Sequence, residues 1–154
     1  GHALLKILLS FALRGLESSA LPLLAALGER LMTAQNALVS LGAAADEAEI
    51  AEVLLAHIPL TEASPGGPWI MRMLRAVPQL AEVRLASHRA LAAELVERAL
   101  AADPGQDRAT LERRARLAVD LGYCAVELVF DEPGLDRRAV MQDAARAIAA
   151  VLAN

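Results

Sequence analysis

Ser87 and His88 set a hydroxyl beside an imidazole, the two groups from which a nucleophile and its base are made. On a helix, consecutive side chains diverge by about 100°, so these two cannot share a proton. Metal chemistry finds no better footing. His2, His57 and His88 show no H-x-x-x-H or E-x-x-H spacing, and Glu49, Glu52 and His57 do not share one face at ligand spacing. The stretch SPGGP (64–68) lacks both a phosphate-loop motif and a preceding strand. Cys124 stands alone inside LAVDLGYCAVELVF (117–130), where it reads as a small core residue rather than a nucleophile. The sequence therefore leads us to expect no catalytic residue, no metal and no cofactor.

Binding chemistry remains. His88 projects beside Ala81, Leu95 and Ala99, in the middle of an apolar arc. A guest would give it a partner, and so would a backbone carbonyl. Gln35 projects beside Leu24, Leu31 and Val39; a buried amide there needs a ligand or ordered water, whereas a partly exposed one does not. Trp69, Met71 and Met73 follow a loop of helix breakers, PLTEASPGGP (59–68). Methionines suit pockets of variable shape, and they suit an ordinary core equally well. Tyr123 lies at a helix edge, where its ring can bury while its hydroxyl meets solvent or a guest. With Phe11, these give a candidate ligand-binding set of His88, Gln35, Trp69, Met73, Tyr123 and Phe11.

The elements that must position these groups are helical. The 154 residues suit one domain with a sizeable core, and 56% are hydrophobic with only 3% aromatic. Leu, Ala and Val dominate, so an all-α fold follows. Periodicity and punctuation predict about seven helices. The first covers Ala3 to Ser18, and the second runs from Pro22 to Gly42. The third opens on Asp46, where Asp46 and Glu49 form a capping-box pair, and stops at Pro59. A short helix WIMRMLRA follows the loop, then a long one from Pro78 to Ala102. After DPGQD (103–107), Asp107 caps a sixth helix reaching Phe130; DEPG (131–134) turns the chain into a seventh that begins at Leu135. The domain is expected to span 3–153, with Gly1 and His2 read as a tag remnant.

A net charge of -4 gives no electrostatic footprint for nucleic acid, and ERRAR (112–116) reads as a solvated helix face. The apolar run 4–27 is broken by Lys6, Arg14 and Glu17, so no membrane span of about 18 residues is expected. A lone cysteine fits a reducing, cytoplasmic setting.

The sixth helix has more apolar surface than one contact needs. Leu111, Ala115, Ala118, Gly122, Ala125 and Val129 fall on one line, and Leu117, Leu121, Cys124 and Leu128 on a second, roughly 110° away. A helix with two apolar lines is clamped from two directions, by its own neighbours or by a symmetry copy. The seventh helix adds Val140, Met141, Ala144, Ile148, Val151 and Leu152. The last two long helices, antiparallel and adjacent, are therefore expected to form a four-helix bundle in a homodimer. The interface set is Leu111, Ala115, Ala118, Gly122, Ala125, Val129, Val140, Ala144 and Ile148.

The stretch VPQLAEVRLASHRALAAELVERALAADPGQDRATLERRARLAVDLGYCAVELVF (77–130) resembles the regulatory half of TetR-family transcriptional repressors. Pro78 and Leu80 open a long helix containing Arg84 and Arg89, and an acidic Pro-Gly loop follows. A long Ala/Arg-rich helix then leads into DRRAVMQDAARAIAAVLA (136–153). The resemblance implies a dimerising domain that holds a small apolar effector and controls DNA binding by N-terminal helix-turn-helix heads. That signature, with its Tyr-x-x-Phe-like stretch, is absent here, so DNA would be reached only through a domain outside this chain. The expectation is an effector-sensing, homodimerising domain. The alternative is a helical lipid carrier or protein-interaction module, with an enzyme third.

Overall fold

The computed structural model describes residues 20–41 and 45–153. Among them are six α-helices, one 3-10 turn and no strand. Helix α1 is Ala20–Ala37, α2 is Glu47–Ala63 and α3 is Gly67–Ala76. A 3-10 turn, Pro78–Leu80, leads into α4, Ala81–Ala102; α5 is Arg108–Asp131 and α6 is Arg137–Ala153. The helix expected over Ala3 to Ser18, with Phe11, lies outside the described residues.

Side-chain caps set three of the helix starts. The Asp46 carboxylate accepts from Glu49 N at 2.9 Å, while Asp46 N donates to the Glu49 carboxylate at 3.2 Å. Asp107 accepts from Thr110 N at 2.9 Å, and Asp136 accepts from Arg138 N and Ala139 N. Each such cap is worth about 1 kcal/mol.

Most boundaries fall within two residues of expectation, and three differ more substantially. α1 ends at Ala37, short of Gly42, and the long helix opening at Pro78 begins as a 3-10 turn. Pro59 does not stop α2 but sits inside it. Its missing N–H leaves the Leu55 carbonyl without a helical donor, which in isolation costs about 3 kcal/mol. Burial holds the helix through that defect: Ile58 and Thr61 are in the core, and the Thr61 hydroxyl donates to the His57 carbonyl at 2.6 Å. The connection to α3 shrinks accordingly to Ser64–Gly66. Gly66 turns the chain with φ 67, and a Cβ on Gly67 would fall 2.0 Å from the Thr61 carbonyl oxygen. Two glycines in a row thus serve a left-handed turn and a close backbone approach.

The helices form a ring. α1 packs on α4, α4 on α5, α5 on α6, α6 on α2, and α2 returns to α1. α3 touches α1, α2, α4 and α5 and closes one end, burying Ile70, Met71, Met73 and Leu74. Among the described residues, no helix is long and apolar enough to cross a membrane.

Candidate functional site: a cavity inside the helix ring

A cavity of about 310 Å³ lies within the ring. α2 contributes Ile50, Val53, Leu54 and His57; α4 contributes Leu91 and Leu95. Ala118, Val119, Gly122, Tyr123 and Val126 come from α5, and Ile148, Ala149, Leu152 and Ala153 from α6. Val39, Leu41 and Ala45 complete the wall. Leu152 lines it yet is 38% exposed, so the cavity reaches the surface near the end of α6. Gly122 makes room where three helices meet. A Cβ there would stand 3.3 Å from Leu54 Cδ2 and 3.8 Å from Ile148 Cδ1.

A polar network runs behind the wall. The Tyr123 hydroxyl donates to Asn36 Oδ1 at 2.8 Å, and Asn36 Nδ2 donates to Ser87 Oγ at 2.9 Å. The Tyr123 ring stacks on His88 with centroids 4.2 Å apart, and meets His57 edge-on at 6.3 Å. His88 Nδ1 donates to Asp120 Oδ1 at 2.7 Å, and Arg116 holds the same carboxylate at 2.7 Å. Gln35 Nε2 donates to Thr61 Oγ1 at 2.9 Å.

Burial sets the protonation of these groups. Desolvation lowers the pKa of His88 despite the opposing Asp120 carboxylate, so the imidazole is neutral at neutral pH. His57 is lowered by the same cause, against the Val53 and Gln35 carbonyls beside it. Burial pushes the Tyr123 phenol well above its ordinary range. For Asp120, desolvation pulls upward, but the Arg116 and His88 hydrogen bonds together hold the carboxyl below its usual value. Asp120 thus orients His88 as a base would be oriented. His88 Nε2, however, is buried without a partner and does not line the cavity. What the site can do is hold an apolar guest, and among the described residues no group of three His, Cys, Asp or Glu side chains is placed to hold a metal.

The structure redistributes the expected site residues. Tyr123 lines the cavity. His88 and Gln35 are buried polar members of the core that do not line the cavity; His88 Nδ1 pairs with Asp120 and Gln35 Nε2 with Thr61, while His88 Nε2 and Gln35 Oε1 are left without a partner. Met73 is core, 1% exposed, and Trp69 is half-buried and does not line the cavity, because α3 packs against α1, α2, α4 and α5. His57 was missed. Ile50, Val53, Leu54 and His57 occur at i, i+3, i+4 and i+7, one face of α2 whose polar member is His57, and that spacing was readable.

Most of the interface set is covered within the chain itself. Ala115, Ala118, Gly122, Ala125, Val129 and Ile148 are buried within the single chain, and Leu111, Val140 and Ala144 are half-buried against the core. Small residues let neighbours approach closely, and here those neighbours are α2 and α6 of the same molecule. The line left uncovered is the other one. Leu117 and Leu128 are 49% and 41% exposed, Cys124 is exposed and Leu121 half-buried.

No known family model, curated protein or solved structure matches this chain.

Proposed function

We propose that the chain is a ligand-sensing and homodimerising helical domain of the kind found in TetR-like repressors, binding a small apolar effector. One observation carries this reading. α5 presents its Ala118–Gly122 side to the cavity and its Leu117–Leu121–Cys124–Leu128 side to the outside. A guest on one flank and a second subunit on the other would then act on the same helix. Differential binding of the guest to two arrangements of the dimer would shift their populations. Control of DNA binding through heads outside this chain is the corresponding output.

The outer line suits a second copy of itself. It follows Arg113 and Arg114 and runs into Glu132, beyond an Asp131 already paired with Arg72, so an antiparallel twin would set each basic end beside an acidic one. Arg113, Arg114 and Glu132 are exposed or half-buried. Sedimentation tests the dimer. The wild-type chain should run at twice its mass, while Leu117→Arg and Leu128→Arg should run as folded monomers. A monomeric wild type would remove the dimer from this account and leave the carrier alternative ahead.

A further inference from the structure

We propose that the cavity selects an uncharged, mainly aliphatic guest and rejects a carboxylate or an ammonium ion of the same chain length. This rests on the sensing role proposed above and adds the chemical class of what is sensed.

A charge taken out of water needs a fixed counter-charge or several hydrogen bonds at its destination. The described residues of the wall supply no counter-charge. Among the described residues whose side chains line the cavity, only His57 and Tyr123 are polar, and none is Lys, Arg, Asp or Glu. Each of these two already holds one hydrogen-bond partner. The Tyr123 hydroxyl donates to Asn36, and His57 Nδ1 lies 2.7 Å from the Val53 carbonyl. Arg98 stands at the rim, not in the wall, where it donates to the Val39 carbonyl at 2.8 Å and pairs with Glu94 at 3.4 Å. Burial keeps His57 neutral, so it offers a carboxylate no positive charge. An ammonium ion fares no better. His88 covers one face of the Tyr123 ring, so the described residues offer no pair of aromatic faces to cage a cation or clasp a flat guest. About 310 Å³ is near the lower bound for ligand sites and matches on the order of ten water volumes. A guest of medium chain length fits that space.

The test is a titration of the wild-type chain with 1-octanol, octanoate and octylammonium at about pH 8, followed by calorimetry and thermal unfolding. 1-Octanol should raise Tm saturably and bind at least about ten-fold tighter than either ion. Ala149→Leu and Ala118→Leu, filling the cavity from α6 and α5, should each abolish that shift. Octanoate or octylammonium binding as tightly as the alcohol would overturn the selectivity and leave the sensing role intact. Undiminished 1-octanol binding in both natively helical variants would place the alcohol elsewhere and overturn the site. If none of the three binds, the cavity is no ligand site and the sensing role fails with it.

Discussion

Leu117 and Ala118 are consecutive on α5, yet Leu117 is 49% exposed while Ala118 is 4% exposed and stands in the cavity wall. A rotation of about 100° between successive residues separates the two surroundings. The same step recurs at Leu121 and Gly122. A displacement of α5 by a guest would therefore move the outer line directly, with no relay through other elements.

The first prediction concerns the register of the twin. A two-fold axis between Leu121 and Cys124 pairs Leu117 with Leu128 of the partner subunit. In a Cys124→Ser background, Leu117→Cys with Leu128→Cys should form an intermolecular disulfide under mild oxidation. Leu117→Cys alone should not, because its own copy would lie beyond the roughly 7 Å reach of a disulfide. Equal cross-linking by the single variant would contradict this register.

Much of the fold could be read from residue order. The capping box at Asp46, the cap at Asp107 and the turn before α6 are local signals, and local chemistry decides them. Pro59 misled because its penalty is local while the burial of Ile58 and Thr61 that offsets it is tertiary. The two lines on α5 were legible, but not their assignment. A line of small residues admits a neighbour closely whichever chain that neighbour belongs to, so periodicity could not tell α2 and α6 from a twin. His88 looked stranded because its partner, Asp120, lies thirty-two residues away.

A second prediction separates structure from recognition at Tyr123. Its hydroxyl is committed to Asn36, so Tyr123→Phe should cost about 1 kcal/mol in urea unfolding. Guest affinity should stay unchanged, since the ring keeps its place in the wall. A large loss of affinity at unchanged stability would mean that the hydroxyl faces the guest.

Acidification should weaken the fold. Burial holds His57 and His88 below the ordinary value of 6.5, so below that pH the unfolded chain takes up protons that the folded chain refuses. Stability is therefore complete above about pH 6.5 and falls as the pH drops through the folded values, by at most about 1.4 kcal/mol per pH unit for each proton. Glu127 acts in the opposite sense, because burial raises its carboxyl and acid relieves it. Urea midpoints compared between about pH 7 and pH 5.5 should show a smaller loss in His88→Gln than in wild type. An identical loss would place the titration on other groups.

The most direct measurement is amide hydrogen exchange on the wild-type chain with and without saturating 1-octanol. Exchange should slow in α2 around Val53–His57 and in α5 from Leu117 through Val126, since one helix serves both the guest and the twin. Protection confined to α3, or none in α5, would contradict it.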